Sequence, residues 1–249
     1  MAFDTSVLDA AFTALKAYDW GGDAAAFKPI DEAVIAAHGD APLRGDLEKR
    51  LSAVLGAGPS RAAKEYACRK LSLIGTAAAV PALAALLPDK DNSHMARFAL
   101  ERIAAPEAVD ALRRALDTVA GDLRIGMISS LGSRRDAASV PALSKLLAGD
   151  QTLAVAAAEA LGMLATPEAE GVLAAAKTSG PAAAAAVVDA RLACADAMLA
   201  AGRRGEARKI YESIGAASGD AAKTHRERAV RIAARRGLFA TVDETVASS

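Results

Sequence analysis

Four basic residues in the middle of the chain have the side-chain chemistry to bind a negatively charged partner. Arg113 and Arg114 are adjacent, and Arg135 and Lys145 follow them in the next part of the chain. A guanidinium can hold a carboxylate through two hydrogen bonds, and a lysine ammonium adds a point charge. These side chains can act together only if the secondary structure places them on one surface.

The histidines and cysteines do not form the pattern of a metal or nucleophile site. His38, His94 and His225 have no second ligand four residues away, which a metal site on a helix would require. We therefore expect surface or turn positions for them. Cys68 and Cys194 stand far apart in alanine-rich stretches, where a free cysteine behaves as a small buried hydrophobe. The sequence predicts no catalytic residue, no metal site and no cofactor.

Recognised nucleotide-binding and acyl-transfer motifs do not occur at any strand–helix junction of the predicted structure. Most of the aspartates and glutamates lie in turns and first helical turns, where capping accounts for them. Paired catalytic carboxylates stay open as an alternative, because folding can join residues that are distant in sequence.

Composition and hydropathy bear on the partner and the compartment. The 249 residues include 30 basic and 30 acidic side chains, so the balance of charge gives no argument for nucleic acid. The longest apolar run, residues 182–188, is much shorter than the about 20 residues that span a bilayer, so we expect no membrane insertion. No signal peptide is visible, which predicts a cytoplasmic protein as given. A fragment of a longer exported protein is an alternative.

The chain contains an internal repeat of about 30 residues. Near-copies of one tract, AVPAL and SVPAL, begin at residues 79 and 139, and related tracts lie between and after them. The anchor positions Val80, Val109, Val140 and Glu170 are 29, 31 and 30 residues apart. Leucine recurs nine residues before and three residues after every anchor, namely at Leu71, Leu100, Leu131, Leu161, Leu83, Leu112, Leu143 and Leu173. Such a period is typical of stacked helical units.

Each period is predicted to contain two helices, the second of which begins at the anchor tract. Thr166, Pro167 and Glu168 supply a capping hydroxyl, a proline for the first helical position and an early acid. Asp136 is the expected cap in the third repeat, and Asn92 or Ser93 caps the helix that carries His94. No segment alternates with period two, so no strand is predicted.

The tract GTAAAVPALAALL at residues 75–87 resembles the short bacterial HEAT repeat, also called the phycobilin-lyase HEAT-like repeat. SHMARFALERI at residues 93–103 is similar to a repeat module of large bacterial proteins. Residues 190–211 resemble a tetratricopeptide unit, with small residues at a helix crossing and Tyr211 in the second helix. The resemblance implies an all-α fold, a right-handed superhelical α-solenoid of antiparallel helix pairs.

Three regions follow from this reading. Residues 1–59 form an N-terminal helical cap, residues 60–178 form four HEAT-like repeats, and residues 179–249 form a longer, tetratricopeptide-like hairpin with C-terminal capping helices. We expect Tyr18 and Trp20 to seal the exposed end of the array in the cap, because large side chains can shield a terminal apolar face. The alternative role for Trp20 is a platform for a ligand.

The register predicts where the basic residues lie. Positions four and five after each anchor should face outward, because the leucines of the same helix face inward. These positions are Ala84, Ala85, Arg113, Arg114, Ser144, Lys145, Ala174 and Ala175. In HEAT arrays the second helices line the concave side. We therefore expect Arg113, Arg114 and Lys145 together on the concave face, with Arg135 near its rim, although a merely solvated helix face is the alternative.

The function predicted from these features is a non-catalytic scaffold that binds a protein partner, such as an acidic segment, on its concave face. None of the histidines is followed by glutamate, so the His-Glu pairs with which HEAT-repeat deoxyhypusine hydroxylases bind iron are absent. The alternative is a HEAT-like lyase, or a lyase subunit, acting on a tetrapyrrole-bearing protein.

Overall fold

The structure is a computed structural model that describes residues 5–178, 180–217 and 225–241. These residues form helices joined by turns, and no strand occurs among them, which confirms the predicted all-α fold class. They divide into two compact units, with the division after Ser130. The predicted boundaries after residues 59 and 178 stay predictions.

The first unit contains seven helices and the first part of an eighth. Helix α4 packs on α6 and α5 packs on α7, so the first helices of successive repeats stack on each other and so do the second helices. Helix α3 packs on both α4 and α5. Short 3-10 turns precede α2 and α5 and follow α2. The helices are α1 (Thr5–Ala17), α2 (Lys28–Ala36), α3 (Ala41–Val54), α4 (Arg61–Ile74), α5 (Val80–Ala84), α6 (Ser93–Leu100), α7 (Pro106–Thr118) and α8 (Gly121–Ser133).

The second unit begins in the last turn of α8 and repeats the same packing. Helix α10 packs on α12 and α9 packs on α11, while α12, α13 and α14 pack on one another. Its helices are α9 (Val140–Leu146), α10 (Gln151–Leu164), α11 (Pro167–Ala174), α12 (Pro181–Ala200), α13 (Arg204–Ala217) and α14 (His225–Ala240). A 3-10 turn, Ala137–Ser139, leads into α9.

The repeated leucines form the core, as the register predicts. All eight are at most 1% exposed, and they are Leu71, Leu83, Leu100, Leu112, Leu131, Leu143, Leu161 and Leu173. Burying a leucine side chain contributes about 1.5–3 kcal/mol, so leucine at the same two positions in every period supplies each helix pair with its apolar contact. The period read from the sequence is therefore the period of the core.

Two of the residues predicted to cap helices form other hydrogen bonds instead. Thr166 caps α11 as expected, because its hydroxyl accepts from the Ala169 N–H at 3.1 Å. Asn92 occupies the N-cap position of α6 but makes no side-chain cap bond, because its backbone is helical, with φ of −111° and ψ of −15°, where a capping residue is usually extended. Its amide donates to the Asp89 carboxylate at 2.6 Å. Asp136 precedes the 3-10 turn and accepts from the Ser139 hydroxyl rather than from a backbone N–H.

The expectation that Trp20 seals the end of the array is wrong. Trp20 is 86% exposed, because it lies on the turn that follows α1 and not on a helix face. Tyr18 is half-buried and its ring packs edge-to-face on Phe27 at 4.9 Å between centroids. The buried face of α1 is supplied instead by aliphatic residues and Phe12.

Two buried carboxylates tie neighbouring helices together. Glu48 of α3 is 5% exposed and accepts from the Thr76 N–H at 2.6 Å, the Thr76 hydroxyl at 2.9 Å and the Ala79 N–H at 3.1 Å. It thus satisfies the free donors at the start of the 3-10 turn before α5. Glu170 stands where other repeats have valine, and Arg191 of α12 donates to it at 2.9 and 3.0 Å. The ion pair explains the departure from the apolar anchor.

Candidate functional site

The two adjacent arginines of α7 have different environments. Leu112 and Leu116 of the same helix are buried, and Arg114 is exposed on the other side. Arg113 is half-buried, and its guanidinium bonds the Asp110 carboxylate at 2.5 Å, one turn earlier in the helix. Its charge is therefore partly neutralised within α7, whereas Arg114 presents its guanidinium to solvent.

Lys145 and Arg135 lie in the second unit. Lys145 is exposed on α9, two residues after the buried Leu143. Arg135 is exposed in the turn between α8 and the 3-10 turn before α9, with a left-handed φ of +52°. Its N–H donates to the Gly132 carbonyl at 2.9 Å and thereby closes the end of α8. That Arg113, Arg114, Lys145 and Arg135 form one surface stays a prediction.

The exposure of the second helices follows the repeat. The residue five positions after the anchor is exposed in every period, at Ala85, Arg114, Lys145 and Ala175. The residue four positions after the anchor is half-buried in the first three periods and exposed in the fourth. The exposed part of the second helices is thus narrower than the register predicted, because only the fifth position after the anchor is exposed in every period.

A second candidate surface is a groove of about 560 Å³ in the first unit, between the turn after α1 and helix α4. Its floor is Phe27, which is 4% exposed and packs edge-to-face on both Tyr18 and Tyr66 at 4.9 Å. Trp20 stands on one wall. Four of the nine aromatic residues of the chain line this groove, in a protein with only 4% aromatic residues.

The backbone holds Trp20 in a tight turn. The Gly22 N–H donates to the Asp19 carbonyl at 3.0 Å, and Gly21 has a φ of +86°, the geometry of a type II turn with glycine at its third position. The Asp19 carboxylate accepts from the Trp20 N–H at 2.8 Å. The Ser60 hydroxyl donates to the Tyr18 carbonyl at 2.6 Å, which attaches the turn to the start of α4.

The two carboxylates of the groove are both paired with neighbouring donors. Asp31 accepts from the Tyr66 hydroxyl and from Lys70, each at 2.6 Å, and Glu65 pairs with Arg69 at 2.5 Å. Partial burial alone would raise the pKa of Asp31, but the hydrogen bonds from Lys70 and Tyr66 hold it below its usual value. Burial and the neighbouring Asp31 carboxylate raise the pKa of the Tyr66 hydroxyl, so Tyr66 stays a neutral donor.

Sequence reasoning found only two members of this groove. It named Tyr18 and Trp20, whereas Phe27, Asp31 and Tyr66 come from the 3-10 turn, α2 and α4 and converge only in the folded chain. A signal for the exposed tryptophan was available in the run Asp19-Trp20-Gly21-Gly22, since two glycines after an aspartate favour a tight turn over a helix.

The side chains with metal-binding or nucleophilic chemistry are dispersed. Cys68 and Cys194 are free thiols and fully buried, as predicted, and burial raises their pKa values to about 12 and about 11. His38 and His94 are exposed, and the side chain of His225 lies outside the described residues. Within the described part of the chain, no group of three His, Cys, Asp or Glu residues could hold a metal ion. None of the described helices is long and apolar enough to cross a membrane.

Comparison with known proteins identifies a HEAT-like repeat in the chain. Residues 94–118, which cover α6 and α7, match the family model of the PBS lyase HEAT-like repeat. No curated protein matches the chain. A solved structure of human deoxyhypusine hydroxylase in complex with glycerol is 17% identical, with a TM-score of 0.33 over 95% of this chain and 96% of that chain. The part of the chain that the structure describes is therefore all-helical, and its residues 94–118 are similar to the PBS lyase HEAT-like repeat.

Proposed function

We propose that the protein is a non-catalytic binding scaffold whose second helices present an exposed face to a protein partner. The observation that supports this proposal is the exposure of the fifth position after the anchor in every period. An array of helix pairs displays such positions at regular intervals, and repeat proteins use extended surfaces of this kind for binding. The chemistry of the exposed positions then sets the kind of partner.

The exposed positions favour an acidic segment as the partner. Arg114 and Lys145 occupy the fifth position in the two middle repeats, and alanines occupy it in the outer repeats. Arg135 adds a further exposed guanidinium, whereas the Arg113 guanidinium already forms an ion pair with Asp110. Carboxylates can be bound bidentately by arginine, and the flanking alanines leave room for the backbone of a partner.

The experiment replaces Arg113, Arg114 and Lys145 with alanine. The melting temperature should change little, because Arg114 and Lys145 are exposed and the Arg113–Asp110 pair within α7 contributes only about 0.2–1 kcal/mol. Affinity for a fluorescent glutamate-rich peptide, measured by anisotropy, should fall at least fivefold at low salt and less at physiological salt, where screening is stronger. Proteins captured from the source lysate by the parent and the variant, compared by mass spectrometry, identify the natural partner.

A control of equal charge replaces Arg44, Lys49 and Arg61 with alanine, since these basic residues are exposed, as Arg114 and Lys145 are, but lie outside the second helices of the four repeats. Both triple variants lose the same net charge. Equal loss of peptide binding in the two variants would show that the attraction is non-specific and would contradict the proposal.

The name of the matched family favours a second candidate, a lyase or lyase subunit that acts on a tetrapyrrole-bearing protein. Such a protein should bind the tetrapyrrole chromophore itself. Mixing the protein with a free bilin or with haem and recording the absorbance spectrum tests this. A saturable shift of the long-wavelength band would support the lyase candidate, and an unchanged spectrum would remove it.

A further inference from the structure

We propose that the aromatic groove of the first unit binds an extended, proline-rich segment of another protein. The groove lies between the Trp20 turn, the 3-10 turn Ala25–Phe27 and helix α4, away from the second helices of the proposed scaffold surface. Its volume of about 560 Å³ falls within the ordinary range of binding clefts. This inference stands apart from the proposed function, because it assigns a different surface and a different ligand chemistry.

The first observation is an exposed tryptophan on a fixed backbone. Tryptophan is one of the largest apolar side chains and is highly buried in most proteins, yet Trp20 is 86% exposed. Its turn is closed by the Gly22–Asp19 bond and attached to α4 by Ser60. Because the backbone of the turn is already ordered, binding has to fix only the side-chain torsions of Trp20, which lowers the entropic cost of association.

The second observation is the electrostatic neutrality of the groove. The charged residues that line it are two acids and two bases, namely Asp31, Glu65, Lys28 and Arg69, and Lys70, which pairs with Asp31, lies outside the lining. Both carboxylates already accept from neighbouring groups, Asp31 from Tyr66 and Lys70 and Glu65 from Arg69. A cationic ligand would have to displace these partners, and an anionic ligand would meet the same carboxylates. The occupant that complements this groove is therefore uncharged.

The third observation is the kind of surface that the aromatic residues form. Tyr18 and Tyr66 pack on the buried ring of Phe27, and Trp20 lines the same groove, so four aromatic side chains contribute to one surface. Aromatic-lined grooves bind polyproline II segments, whose rings pack on the aromatic faces and whose preformed helix loses little entropy. The exposed indole N–H of Trp20 can donate to a carbonyl of such a segment, because prolines leave those carbonyls free of internal bonds.

The chain carries its own probe for this site, because Trp20 is its single tryptophan. Titration of the full chain with an acetylated decaproline peptide should move the tryptophan emission to shorter wavelength in a saturable way, as the indole leaves water. A glycine-serine peptide of equal length and a trimethyllysine peptide are titrated in parallel. Neither should shift the emission at the same concentrations.

Single replacements of exposed residues test whether decaproline binds in the groove. Trp20→Ala should weaken decaproline binding by at least about tenfold in isothermal titration calorimetry, the effect expected when a central aromatic contact is removed. Trp20→Phe should retain part of the affinity. Ile35→Ala is the matched control, because Ile35 is also a large apolar side chain that is 75% exposed but does not line the groove. It should bind decaproline as the parent does.

Three results would overturn the proposal. The first is no emission shift with decaproline, and the second is an equal shift with the glycine-serine peptide. The third is tighter binding of the trimethyllysine peptide, which would assign the groove to cations. Equal melting curves of the parent and Trp20→Ala by circular dichroism establish that a loss of binding does not come from unfolding.

Discussion

Among single side chains, the cysteines show most directly how burial controls reactivity. Both thiols are 0% exposed, and the Cys194 thiol points toward the Leu161 and Gly162 carbonyls at 3.9 and 4.0 Å. The low-dielectric surroundings disfavour the thiolate, so burial is the main cause of the raised pKa values of about 12 for Cys68 and about 11 for Cys194. Since the thiolate is the reactive form, both cysteines should be inert in the folded protein.

We expect no reaction of either thiol with Ellman's reagent at pH 8 in the native protein, and stoichiometric reaction of both after denaturation. A thiol whose pKa is raised by folding favours the folded state below the pKa of the unfolded thiol, near 9.0. That contribution is lost as the pH rises from about 9 through the folded values. Urea unfolding at pH 8 and pH 10.5 should show the decrease, and a Cys68→Ala, Cys194→Ala variant should show a smaller one. Rapid native labelling at pH 8 would contradict this assignment.

The end of α10 contains a strained backbone position. Ala165 has a φ of +52° and closes the helix through its N–H to the Leu161 carbonyl. A left-handed alanine costs roughly 1–2 kcal/mol, which glycine avoids. Glycine also makes the unfolded chain more flexible, which offsets about 0.4–1 kcal/mol of that relief.

Ala165→Gly should therefore stabilise the protein by about 0.5–1 kcal/mol in chemical unfolding. Ala193→Gly is the control, because Ala193 is exposed in the middle of α12 and the same replacement there should destabilise by about 0.5–1 kcal/mol. If both variants lose stability, the left-handed conformation of Ala165 is not costly.

At the scale of helices, α10 and α12 approach each other at a glycine. A methyl group built on Gly162 would lie 2.9 Å from the Ala190 Cα and 3.0 Å from its Cβ. Gly132 has a similar relation to Ala160 one repeat earlier. Small residues at the same place in successive first helices let the backbones pack closely, and the 30-residue period brings each glycine opposite an alanine.

Gly162→Ala should destabilise the protein by about 1–3 kcal/mol, because the added methyl must separate two backbones. Gly171→Ala should have the opposite effect, a gain of about 0.5–1 kcal/mol, because Gly171 is exposed within α11 and nothing lies within 4 Å of its added methyl. Urea denaturation of the two variants compares them directly. Stabilisation by both replacements would rule out the close approach.

At the scale of the molecule, stability should be distributed over the repeats. In repeat proteins each unit contributes through its own core and the interfaces with its neighbours. The third position after each anchor is a fully buried leucine in every period of this chain. Because these four leucines are equally buried, we expect each of them to contribute a similar amount to the free energy of unfolding.

Each of Leu83→Ala, Leu112→Ala, Leu143→Ala and Leu173→Ala should cost about 2–5 kcal/mol. Leu73→Ala, at a leucine that is 70% exposed on α4, should change stability by no more than about 0.5 kcal/mol. Melting temperatures of the five variants test the register. A tolerated replacement at one of the four positions, together with a damaging one at Leu73, would show that the repeat is misaligned.

The sequence by itself determined the helical class, the 30-residue period and the leucines of the core. Helix periodicity and the burial of leucine are local properties, since three or four residues decide which face of a helix is apolar. The same locality explains why the outward position of Arg114 and Lys145 and the cap at Thr166 could be predicted. It also explains the burial of the two cysteines, which lie on the buried apolar faces of α4 and α12.

Only the tertiary structure decided the polar contacts and the aromatic groove. The partner of Glu170 is Arg191, 21 residues away, and Glu48 reaches the start of the next helix pair at Thr76. Tyr66 joins Trp20 in one groove although 46 positions separate them. Hydrogen bonds and ring contacts depend on distances of a few ångströms between groups from different helices. The spacing of residues along one helix does not determine those distances.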